Sequence, residues 1–131
     1  MSLHNSSKTT ETAIYKKAVE IFRLSKSISH YLVHDLGNLQ RNGKENPHIY
    51  FTGDLVQQSV SLAPEILKAE SKTFSEERHQ HVASLTRLVN LLHKNCDRLE
   101  LSNSNGREFL KLLRIELKKF RKLQRTWMLR M

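Results

Sequence analysis

The sequence predicts an all-α protein, an antiparallel up-down four-helix bundle, and three observations predict it. Apolar residues recur at three- and four-residue spacing through four long stretches, the signature of a helix with one buried face. Short segments rich in Gly, Asn, Ser and Pro separate those stretches, and period-two alternation nowhere persists long enough for a sheet. Long helices joined by short polar loops pack as sequential neighbours, which is the bundle arrangement. At 131 residues, 38% hydrophobic, with 4 Gly and 2 Pro, the chain suits a single helical core and not a turn-rich β fold.

Residues 1–10 are polar and Ser/Thr-rich and read as a flexible lead-in, leaving 11–131 as the one bundle domain. Thr9, Thr10 or Thr12 can cap the first helix, which starts at Ala13. Its stripe is Tyr15, Ala18, Val19, Phe22, Ile28, Leu32, Leu36 and Leu39, broadened by Ile14, Ile21 and Leu24. After roughly 25 residues it must stop between Gly37 and Gly43, where LGNLQRNGKENP gathers helix-ending and turn-forming residues.

The second helix follows Pro47, with Phe51, Leu55, Ser59, Leu62, Ala63, Ile66 and Ala69 on one side. Pro64 interrupts it. Proline removes a backbone hydrogen bond and clashes with the preceding turn, so a kink or short break is expected at 61–64. The third helix is expected to open on a Thr73-x-x-Glu76 capping box and to run through Val82, Leu85, Leu88, Val89, Leu92, Cys96 and Leu99. The linker LSNSNG, residues 101–106, then releases a fourth helix.

That last stretch joins an apolar stripe to most of the protein's positive charge. Phe109, Leu113, Phe120, Leu123 or Gln124, and Trp127 mark the packed face, widened by Leu110, Leu112 and Leu117. Between them stand nine cations against only Glu108 and Glu116, which is seven of the chain's net nine positive charges. A solvated helix usually mixes its signs. A block this one-sided concentrates polyanions, so nucleic acid or an anionic surface is the expected partner class. Lys111, Arg114, Lys118, Lys119, Arg121, Lys122 and Arg125 are the expected phosphate contacts, without base specificity. Trp127 lies in phase with the apolar stripe, which favours packing in the core or between subunits over stacking on a base.

Other constellations offer less. His30 and His34 share a helix face, and Glu76-x-x-His79 has metal-ligand spacing, so a metal-dependent bundle enzyme is a conceivable reading. A di-iron bundle needs a second Glu-x-x-His, and none exists in the sequence. His93 and Cys96 are three apart, but Cys96 continues the stripe of Leu85, Leu88, Leu92 and Leu99 and reads as a buried thiol. No Gly-rich phosphate loop, nucleophile elbow or Cys-x-x-Cys pair is present, so neither catalysis nor a cofactor has residues to rest on. The single cysteine fits a reducing cytoplasm, and no 18-residue apolar run or hydrophobic leader points to a membrane span or secretion.

The order of features resembles a small bacterial four-helix bundle family. That family includes the 23S ribosomal RNA intervening-sequence proteins and the accessory variability determinants of diversity-generating retroelements. AIYKKAVEIFRLSKSI, residues 13–28, resembles the family's opening aromatic-x-x-Ala-x-x-aliphatic helix. Val60-Ser-Leu-Ala-Pro-Glu-Ile66 and Ala69 are similar to its Val-Ser-Ile-Pro-x-Asn-Ile-Ala-Glu-Gly segment, with the proline displaced by one position and Glu65 in place of asparagine. AESKTFSEERHQHVASLTRLVNLL looks like its polar linker and long third helix. The long basic last helix is closer to the retroelement accessory proteins. The resemblance implies a homo-oligomer, a pentamer in the retroelement proteins, whose basic surface binds nucleic acid and a reverse transcriptase. The function expected is therefore a non-enzymatic nucleic-acid-binding accessory protein acting on RNA or an RNA/DNA hybrid. The competing expectation is a scaffold whose basic helix docks an acidic protein partner.

Overall fold

Thr12 caps the first helix: its hydroxyl accepts the Tyr15 amide at 3.4 Å, and its carbonyl accepts the first full-turn bond, from Lys16, at 3.0 Å. The computed structural model describes residues 12–37, 43, 48–102 and 105–130. The expected lead-in, residues 1–10, and Leu39 lie outside the described residues. Helix α1 runs Ala13–Leu36, α2 Ile49–Val60, α3 Leu62–Ser71, α4 Ser75–Glu100 and α5 Glu108–Leu129, with a 3₁₀ turn at Asn105–Arg107. No strand occurs among the described residues.

The interruption expected near Pro64 falls at Ser61, the only residue between α2 and α3. Pro64 has no N–H for the Val60 carbonyl four residues earlier and would press its ring against that group. The chain tightens there. The Ser61 amide bonds to the Gln58 carbonyl at 3.3 Å, and α3 then continues the same buried stripe through Leu62, Ile66 and Ala69. Together α2 and α3 form one interrupted arm, so the described residues make four helical arms.

α1 packs against α2, α3 and α5, and α4 packs against the same three. α5 therefore sits between α1 and α4, across the bundle from the α2–α3 arm. The core between them is built from Ile21, Leu32, Leu55, Leu62, Ile66, Leu85, Leu92, Leu99, Leu113, Leu117 and Phe120, all fully buried.

Three expectations about these helices are corrected. Thr73 does not cap α4: Phe74 is the N-cap, with extended backbone and no side-chain cap bond. Arg78 closes this corner instead, its Nη1 donating to the carbonyls of Lys72 at 3.3 Å and Thr73 at 3.1 Å. The buried face of α1 is Ile14, Ala18, Ile21, Ile28, Leu32 and Leu36, whereas Tyr15, Val19 and Phe22 are only half-buried. On α5, Phe109 and Leu112 stay exposed, and Leu110, Leu113, Leu117, Phe120, Gln124 and Trp127 are the packed face. Phe109 meets Tyr31 edge-on, 5.4 Å between ring centroids.

Candidate nucleic-acid interface

The sites expected on α5 divide once the neighbouring helices are in place. Seen along the helix, Lys111, Lys118, Lys122 and Arg125 fall within about 40° of one line, and the rise per residue spreads them over about 21 Å. All four are exposed. Lys118, Lys122 and Arg125 have no carboxylate within ion-pair distance among the described residues, and Lys111 has Glu108 at 3.2 Å on the open surface. The opposite side of the same helix is the packed face of Leu113, Leu117, Phe120 and Gln124, so the core directs the cations outward.

Arg114 leaves the set. Its Nη2 bonds to Glu100 and, at 2.6 Å, to Asp97, two carboxylates of α4. Its charge is spent holding α4 to α5. Lys119 lies beside Glu116 at 3.2 Å, and Glu116 also accepts from Lys17 of α1 at 2.7 Å. Those bonds, the Lys17 one first, hold the Glu116 carboxyl below its ordinary range, and the same contact raises Lys17. Lys119 is thus partly neutralised. Arg121 is exposed and donates to the neutral Asn90 Oδ1, so it keeps its full charge at the α4–α5 seam.

His93 registers the field at that seam. Burial, then Arg121, then Arg114 lower its pKa; Asp97 opposes them, and Lys118 adds a smaller push downward. Its Nε2 is buried without a partner. The sequence reasoning also missed two cations on α4. Arg87 and Lys94 are exposed, unpaired among the described residues, and lie one turn either side of Asn90 on its outward side. Their spacing around Asn90 is legible in the sequence, but its closeness to Arg121 is not.

No known family model, curated protein or solved structure matches this chain. The functional reading therefore rests on the residues themselves.

The remaining constellations stay apart. His30 and His34 are exposed on α1 and Glu76 and His79 on the first turns of α4; no group of three or more His, Cys, Asp or Glu gathers to hold a metal among the described residues. Cys96 is fully buried, and burial pushes its thiol up to about 12. A thiol so placed stays protonated, whatever its spacing from His93. Among the described residues no helix is long and apolar enough to cross a membrane.

Proposed function

We propose that this protein is a non-enzymatic, oligomeric nucleic-acid-binding accessory protein that contacts RNA or an RNA/DNA hybrid through the outward stripe of α5. The observation that supports it is the array of Lys118, Lys122 and Arg125, extended by Lys111 and Arg121, with little compensating acid. Cations on consecutive turns meet successive phosphates and release counterions at each one, which needs no pocket and reads no sequence. Arg87 and Lys94 broaden the same surface.

The helices of this reading run up and down in antiparallel order. Thr86, Asn90 and Asp97 of α4 bond to Gln124, Arg121 and Arg114 of α5, the numbers rising on one helix as they fall on the other. The family-like segment around Pro64 is what supports the narrower reading, a cytoplasmic accessory of a retroelement reverse transcriptase assembled as a pentamer. Leu112 and Ile115, exposed beside the stripe, supply apolar surface for self-association.

A second reading has its own support. The same Leu112 and Ile115 beside a basic stripe suit an acidic amphipathic partner helix. RNA affinity measured against salt separates the two. Binding that weakens steeply with salt and is lost when Lys118, Arg121, Lys122 and Arg125 become Gln supports the nucleic-acid reading. A flat dependence, or unchanged binding by that variant, refutes it. A protein partner retained after nuclease treatment supports the scaffold.

A further inference from the structure

A pocket of about 510 Å³ opens where the start of α1, the end of α3, the start of α4 and the end of α5 meet. Its size falls in the range of small-molecule sites. Ile14, Leu123 and Trp127 supply apolar lining, and Arg78 and Arg130 line the same space. Neither arginine pairs with a carboxylate among the described residues; Arg78 bonds only to backbone carbonyls. The positive end of α1 also faces this space through Ala13 and Ile14.

Among the described residues, Glu70 is the one acid on the lining. Trp127 Nε1 donates to its Oε2 at 3.1 Å, and its Oε1 is buried with no partner. Burial drives the Glu70 carboxyl above its ordinary value, against the smaller lowering by the Trp127 bond. Glu70 lies outside both arginines' ion-pair range, with one oxygen held by Trp127 and the other buried without a partner. What remains is an apolar wall beside two arginines that have no carboxylate partner among the described residues.

We propose that this pocket binds a small organic anion, an apolar or aromatic body carrying one carboxylate, with its charge at Arg78 and Arg130 and its body against Ile14, Leu123 and Trp127. This site is separate from the α5 stripe and needs no nucleic acid. A sugar-phosphate backbone offers nothing apolar to the Trp127 wall. A cationic ligand would meet two guanidinium groups.

Trp127 is the only tryptophan in the chain, so its indole N–H gives one unambiguous proton–nitrogen resonance. The full-length protein is titrated with 4-phenylbutyrate, 4-phenylbutanol and 4-phenylbutylamine while that resonance is followed. The expected result is a saturable, one-to-one shift with the carboxylate and binding about tenfold weaker or more for the alcohol and the amine. Arg130→Gln removes an exposed side chain with no partner among the described residues, leaves the fold alone and weakens the carboxylate by about the same factor. No saturable shift, equal binding of carboxylate and amine, or unchanged affinity in Arg130→Gln overturns the proposal.

Discussion

Arg114→Gln and Lys118→Gln should behave as opposites, although both residues belong to one basic run. Lys118 is exposed and unpaired among the described residues, so it is free to meet a phosphate. On single-stranded RNA each phosphate contact contributes about 0.7 to the slope of log affinity against log salt, so four stripe cations give a slope near −3. Raising salt from about 50 to about 200 mM then weakens the native protein about 50-fold and Lys118→Gln only about 20-fold. Lys118→Gln should leave the melting temperature unchanged, since surface changes of this kind stay within about 0.5 kcal/mol. Arg114 is different: its side chain is 32% exposed and Glu100's 23%, so the substitution strands a largely covered carboxylate. The exposure of Asp97, at 65%, reduces the loss to about 1 kcal/mol, or a melting point about 3 to 5 °C lower. Its salt slope should match the native protein's. Fluorescence anisotropy across a salt series, paired with thermal unfolding, reads both quantities. A slope lowered as much by Arg114→Gln as by Lys118→Gln, or one untouched by Lys118→Gln, refutes the division of the helix into packed and free cations.

Cys96 should resist a thiol-reactive disulfide reagent near pH 8 in the native protein and react once denaturant is added, because its thiol lies near 12; stoichiometric labelling of the native state would contradict its burial. His93 should titrate below 6.5 by NMR. Its folded pKa lies below the unfolded one, so its contribution to stability is complete above about pH 6.5 and is lost as pH falls through the folded value. Bound RNA should move that pKa upward, and a polyanion that leaves it fixed binds elsewhere. Lys17→Met should cost about 1 kcal/mol at neutral pH, measured by denaturant unfolding. Raised Lys17 loses its contribution as pH rises through its folded value above 10.5, and lowered Glu116 loses its own as pH falls through its value below 4.5. The difference between variant and native protein should therefore shrink at both extremes.

Helical periodicity made the arms legible, and Pro64 made the Ser61 break legible, because both are local rules of backbone geometry. The rotation of α1 was not local. Tyr15, Val19 and Phe22 and the neighbouring Ile14 and Ile21 are all apolar, so either set satisfies the spacing; the contact with α2 and α5 selects the second. Thr73 met the capping pattern, yet helix α4 starts one residue past Phe74, where Arg78 takes the carbonyls. The basic run on α5 was legible as charge. Its usable part was not, because Asp97 and Glu100 stand far from Arg114 in the chain and reach it only across the α4–α5 contact.

Gly106 sets how the basic stripe is held. A Cβ there would lie 2.4 Å from Tyr31 Cδ1 and 2.7 Å from Cε1, so the missing side chain lets the turn before α5 seat directly on α1. Farther along, Lys17 ties Glu116 to α1, and Gln124 Nε2 reaches Thr86 of α4 at 2.9 Å. Three fastenings along one helix stop it from turning about its axis, and a turn of one residue would swing the cations by about 100°. The charges thus behave as marks on a ruler clamped at several points, their spacing settled before any ligand arrives. A flexible basic tail of equal charge would have to surrender its conformational freedom at each encounter, whereas this array has already surrendered it during folding.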